Sequence, residues 1–251
     1  MVANERAVDL SGDGLLAISE GLPFDALELI LMHNRITVIQ CLEPLTMLQK
    51  LNLRSNCISS ISGLQCCTEL QELELYGNQI TRLEGLDRLH RLTSLDVSFN
   101  LITCMDSLES AGLHALMSLY LAHNQISRIE GLGGLSALTV LELGSNNIRE
   151  VENLDCVPNL TELHLGRNKI TRLASGSFAS LSSLRVLGVA SNRLRSLDGV
   201  QSLSSLRELY AECATMHTPP WLMLACSWIC ASPVVICIAT MGSIRWSQWR
   251  S

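Results

Sequence analysis

The sequence predicts an α/β solenoid: a curved, right-handed stack of short parallel strands whose convex side is built from 3-10 turns and loops. Three observations lead there. An asparagine recurs at near-constant intervals, at Asn34, Asn56, Asn78, Asn100, Asn124, Asn146, Asn168 and Asn192, with separations of 22, 22, 22, 24, 22, 22 and 24 residues. Each asparagine is framed by the same aliphatic slots: Leu70, Leu73 and Leu75 before Asn78 with Ile80, Leu83 and Leu86 after it, and Leu138, Leu141, Leu143, Ile148, Val151 and Leu154 around Asn146. The 251-residue chain is 47% hydrophobic but only 4% aromatic, so leucine and its relatives must build the core.

The shared pattern is L-x-x-L-x-L-x-x-N-x-I-x-x-I-x-x-L, a short-class leucine-rich repeat. In L-x-L the period is two, so both leucines point inward and the residue between them points outward. Each repeat adds one parallel strand, about 4.8 Å from the last. The chain then turns sharply, which leaves backbone amides and carbonyls without ladder partners inside an apolar stack. An asparagine side chain carries donors and an acceptor and bonds that turn. The eight asparagines are therefore read as a structural ladder. No repeat buries its leucines alone, so neighbouring repeats must cover them.

Taken in order, residues 1–25 are expected to form an N-terminal cap, because the repeat before Asn34 is weak and has Ala26 in a leucine slot. Residues 26–212 are the solenoid, eight repeats and an incomplete ninth. The two 24-residue spacings fall at Ser107–Leu116 and Leu173–Leu184 and predict longer convex segments, the second filled by Phe178. The ninth repeat starts with Leu206 and Leu209, then places Ala211 and Ala214 in the next leucine and asparagine slots. Residues 213–251 are read as a non-repeat apolar tail. Thr218–Ile244 holds no charged residue. Three readings stay open for it: a membrane-spanning helix, an irregular apolar cap on the last repeat, or an aberrant chain end. The first is disfavoured by Pro233 and by Arg245 and Arg250 on the distal side.

A net charge of −6 argues against nucleic acid as a partner. Met1–Glu20 carries Glu5, Arg6, Asp9 and Asp13 and lacks the apolar core of a signal peptide. The ten cysteines are scattered without CxxC modules, so reduced thiols are expected, without zinc. No cofactor or metal motif is present in the sequence.

The outward residues of the strands define a concave face. Its central column is Asn52, Glu74, Asp96, Tyr120, Glu142, His164, Gly188 and Tyr210. Small neighbours such as Ser98, Ala122, Gly144, Gly166 and Ala190 leave the larger side chains accessible. Acidic and aromatic groups together suit a basic patch on another protein, and tyrosine supplies rigid contact area. Glu74, Asp96, Tyr120, Glu142, His164 and Tyr210 are the candidate partner-binding residues. The plainer alternative is a solvated sheet face. His164 has no serine or cysteine nucleophile in a fixed neighbouring slot, so no enzyme activity is expected.

Four segments carry a more specific resemblance: LDVSFNLIT (Leu95–Thr103), LELGSNNIREVENLD (Leu141–Asp155), LGRNKITRL (Leu165–Leu173) and SNRLRSLDGVQSLSSLRELY (Ser191–Tyr210). In these segments, and in their order, the chain resembles the leucine-rich-repeat regulatory subunit 7 of type-1 serine/threonine protein phosphatase, over residues 27 to 210. The resemblance implies a non-catalytic solenoid of the nucleus and cytoplasm, monomeric before it binds, that holds the phosphatase catalytic subunit through Asp96, Tyr120, Glu142 and His164. His164 stands where that family has an aromatic residue, and the family continues for further repeats and a terminal cap where this pattern ends. The competing expectation is another intracellular scaffold of the same repeat class, serving spliceosomal particles or ciliary and axonemal assemblies.

Overall fold

The computed structural model describes residues 6–174 and 176–211. They form the expected solenoid, a ten-stranded parallel sheet in strictly sequential order. The strands are β1 (Ala7–Asp9), β2 (Glu28–Ile30), β3 (Lys50–Asn52), β4 (Glu72–Glu74), β5 (Ser94–Asp96), β6 (Ser118–Tyr120), β7 (Val140–Glu142), β8 (Glu162–His164), β9 (Val186–Gly188) and β10 (Glu208–Tyr210). Each has three residues, and from β2 to β10 the central one is a buried leucine. Those leucines are in register from strand to strand, Leu73 beside Leu95 beside Leu119 beside Leu141. One continuous core runs the length of the stack.

The strands are short because the chain turns just before each asparagine. His33, Ser55, Gly77, Phe99, His123, Ser145, Arg167 and Ser191 all sit there with φ between 53° and 68°. The asparagine behind each one closes the turn and also bonds the repeat before it. Asn100 donates through Nδ2 to the Val97 carbonyl (3.0 Å) and to the Leu75 carbonyl of the preceding repeat (3.0 Å), and its Oδ1 accepts from the Ile80 amide (2.9 Å). All eight asparagines repeat this scheme, from Asn34, which bonds Leu10 and Leu15, to Asn192, which bonds Leu165 and Ile170. Seven of them are buried and Asn192 is half-buried. Among the described residues, no buried side-chain nitrogen or oxygen lacks a partner.

Residues 6–25, expected as a cap, continue the sheet. β1 pairs with β2 in the shared parallel register, Ala7 beside Glu28 and Val8 beside Leu29. Gly12 takes the left-handed slot of this turn (φ 76°) and Asp13 stands where the asparagine would be. Ala26 is buried in its leucine slot. The convex side carries no α-helix among the described residues. The first longer spacing holds a 3-10 helix at Asp106–Ser110, and the second turns through residues 176–180 around Phe178, which is buried. A second 3-10 helix, Asp198–Ser202, follows Asn192. Neighbouring turns touch closely: a Cβ on Gly85 (φ 79°) would lie 2.1 Å from the Ile61 carbonyl oxygen. The tail from residue 213, with its three readings, lies outside the described residues.

Candidate protein-binding face

The outward residue of each strand falls in register with the next. Asn52, Glu74, Asp96, Tyr120, Glu142, His164, Gly188 and Tyr210 form one file across β3 to β10. The six candidate residues thus stand in one line, all of them partly exposed. Toward the N-terminus the file continues with Ile30 and Asp9.

Several of these side chains also hold the backbone. Oδ1 of Asn52 accepts from the Arg54 amide (3.1 Å), Oδ1 of Asp96 from the Ser98 amide (2.8 Å) and Oε1 of Glu142 from the Gly144 amide (2.6 Å). Asp9 does the same for Ser11 (3.0 Å). An acceptor in the file satisfies the amide two residues on, at the point where the chain leaves the strand. Each such bond uses one oxygen, which fixes the side chain with a second oxygen available in the carboxylates.

Charge is unevenly compensated along the file. Glu74 and Asp96 are direct neighbours on adjacent strands, an unfavourable like-charge pair. Burial, with the Asp96 charge second, raises the pKa of Glu74, against a smaller pull from Arg54. Burial also raises Glu142, opposed by the Gly144 amide and then by His164 and His123. Among the described residues, Lys50 pairs with Glu72 beside the file (2.8 Å), and within the file His164 Nε2 stands 3.7 Å from a Glu162 carboxylate oxygen, an ion pair only when the imidazole is protonated. Glu74, Asp96 and Glu142 belong to none of the pairs found there. At the far end the Tyr210 hydroxyl donates to Glu208 (2.8 Å).

A second row flanks the first where the strands end. The Arg54 guanidinium lies 3.9 Å over the Tyr76 ring, Tyr76 meets Phe99 at 4.7 Å between ring centres, and Phe99 stacks on His123 at 4.0 Å and 19°. The sequence pattern singles out neither Phe99 nor His123. These two occupy the left-handed turn slot, one residue further along than Arg54 and Tyr76, so the row has no fixed period. The available signal was a phenylalanine in a slot that elsewhere holds serine, glycine, histidine or arginine.

Among the described residues, no group of three His, Cys, Asp or Glu side chains is placed to hold a metal ion. The described cysteines are free, and burial pushes the Cys67 thiol up to about 11.

The leucine-rich repeat family description matches residues 27–80, 90–148 and 158–212, and a two-copy description of the same repeat matches 68–110. The chain belongs to the leucine-rich repeat family. Among solved structures, this leucine-rich repeat protein is similar to internalin C2 of Listeria monocytogenes, at 29% identity and a TM-score of 0.68, over 74% of this chain and 81% of that one. It is similar in fold to an internalin F of the same species (24%, TM-score 0.62, 82% of this chain and 66% of that one). The same holds for a leucine-rich repeat protein of Leptospira interrogans (24%, TM-score 0.59, 78% and 59%). No curated protein sequence matches. A leucine-rich repeat protein with an open, mixed acidic and aromatic face is a protein-binding scaffold, and this scaffold is typically non-catalytic.

Proposed function

We propose that this leucine-rich repeat protein is a non-catalytic regulatory subunit of type-1 serine/threonine protein phosphatase, docking the catalytic subunit on its concave face. The observation that carries the reading is acidic charge outside any ion pair: Glu74 and Asp96 side by side, and Glu142 two strands on, all without an ion-pair partner among the described residues. A face that accepts like-charge repulsion in isolation suits a cationic counterpart. Tyr120 and Tyr210 add rigid contact area in the same file. The choice of phosphatase rests on the ordered resemblance of the four segments between Leu95 and Tyr210. Nucleus and cytoplasm, and a monomer before binding, follow from the same reading.

Calorimetric titration with purified phosphatase catalytic subunit tests it. Heat of binding is expected, and Glu142→Arg should weaken the complex by about tenfold or more, since it sets a cation against a cationic surface. A folded chain that gives no heat overturns the proposal. Capture of spliceosomal or axonemal proteins from cells, without the phosphatase, would favour the competing scaffold reading.

A further inference from the structure

The stack of Arg54, Tyr76, Phe99 and His123 spans four consecutive repeats, roughly 14 Å at ~4.8 Å per strand. Two features set it apart from ordinary surface. Phe99 has φ 56°, a conformation unfavourable for a bulky residue, in a slot that is serine at Ser55, Ser145 and Ser191. It also remains 42% exposed, and Leu101 in the same turn is 44% exposed. An apolar ring is thus held at the surface at a conformational cost, although a serine would serve the turn. The row runs parallel to the acidic file and at most about 10 Å from it, since three residues of chain separate Asp96 from Phe99.

We propose that the Tyr76–Phe99–His123 rim is an anchor site for an aromatic or large aliphatic side chain of a partner segment whose neighbouring Lys or Arg residues, two or three positions away, reach Glu74, Asp96 and Glu142. Charge complementarity selects this occupant. An apolar row bordered by carboxylates without ion pairs rewards a segment carrying both an apolar anchor and cations, and gives an acidic or wholly apolar segment less to bind. Arg54 closes one end of the row by lying over Tyr76, so the anchor sits toward Phe99 and His123. This deepens the docking reading above and needs its acidic file, but it does not depend on which protein is the partner.

Fluorescence anisotropy with a labelled peptide holding a Trp, a Gly-Ser spacer and an Arg-Arg-Arg run tests the site, against the same peptide with Ser in place of Trp. On the unaltered protein the Trp peptide should bind about tenfold tighter, the size of a single anchor contact. Phe99→Ser should erase that gap, with His123→Ser reducing it, at no loss of melting temperature, because serine already occupies this slot in three repeats. A gap that is absent from the unaltered protein, or that persists in folded Phe99→Ser, overturns the proposal. Calorimetry with the phosphatase catalytic subunit on the same proteins separates the two readings. Peptide discrimination without catalytic-subunit binding sinks the phosphatase assignment and leaves the anchor site standing. Catalytic-subunit binding without peptide discrimination does the reverse.

Discussion

The inner side of each turn and its outer rim are a few ångströms apart and follow opposite rules. Inside, the eight repeats of β2 to β9 use one solution: a buried leucine at the strand centre, a left-handed residue, and an asparagine that bonds two repeats at once. Outside, the equivalent place varies from repeat to repeat: Asn52, Glu74, Asp96, Tyr120, Glu142, His164. The inner side must satisfy the same geometry at every step, because each repeat is covered only by its neighbours. The rim has no such obligation, so its residues are free to depart from periodicity. Where they carry a local penalty, as at Phe99 and at the Glu74–Asp96 pair, that penalty points to something outside the chain.

The largest expected effect lies on the inner side. Leu119→Ala empties a fully buried slot between Leu95 and Leu141 and should destabilise the fold by about 2–5 kcal/mol in urea unfolding. A loss below 1 kcal/mol would mean that the stack collapses around the missing side chain and is looser than its burial implies. The asparagine ladder provides a graded version of the same test. Asn100→Ala strands the buried Ile80 amide and takes one of two donors from the Leu75 and Val97 carbonyls, which keep Asn78 and Asn124, and about 1–3 kcal/mol should be lost. Asn192→Ala removes equivalent bonds at a half-buried position, where water can replace them, so its loss should be smaller. Equal losses at Asn100 and Asn192 would show that the bonds themselves, not their burial, set the contribution.

This division decides how much of the molecule could be read from its residues. The strand positions, the inward leucines, the asparagine ladder and the register of the central file all follow from a period repeated eight times. The first strand was not legible: Ala7–Asp9 joins the sheet with Val8 in the leucine slot and Asp13 in the asparagine slot, too weak a match to count as a repeat. Nor was the turn-holding role of Asp96 and Glu142, which depends on the amide of a residue two positions on and leaves no trace in composition. The aromatic rim was hidden for another reason. Arg54 and Tyr76 sit one slot before the turn residue while Phe99 and His123 occupy it, so an alignment by columns splits the row in two.

The smallest effect, and the one that separates the two regions most cleanly, is Glu74→Gln. In the folded chain burial and Asp96 raise the Glu74 pKa above its ordinary 4.5, so the ionised carboxylate disfavours the fold at neutral pH. The substitution keeps the shape and removes the like-charge pair, and the isolated protein should gain roughly 0.2–1 kcal/mol at pH 7. The sign fixes the pH dependence. The penalty on the unaltered protein is present above the raised folded pKa and fades as pH falls through it toward 4.5, so the gain from Gln should shrink over that window. Chemical unfolding at several pH values reads both features. A variant that is less stable at pH 7 would place the attraction of Arg54 above the repulsion of Asp96, and the acidic file would then be compensated from within. A variant that gains stability while losing affinity for a cationic partner would show the opposite of the inner side, where no substitution should improve the fold: on the rim, stability is given up for binding.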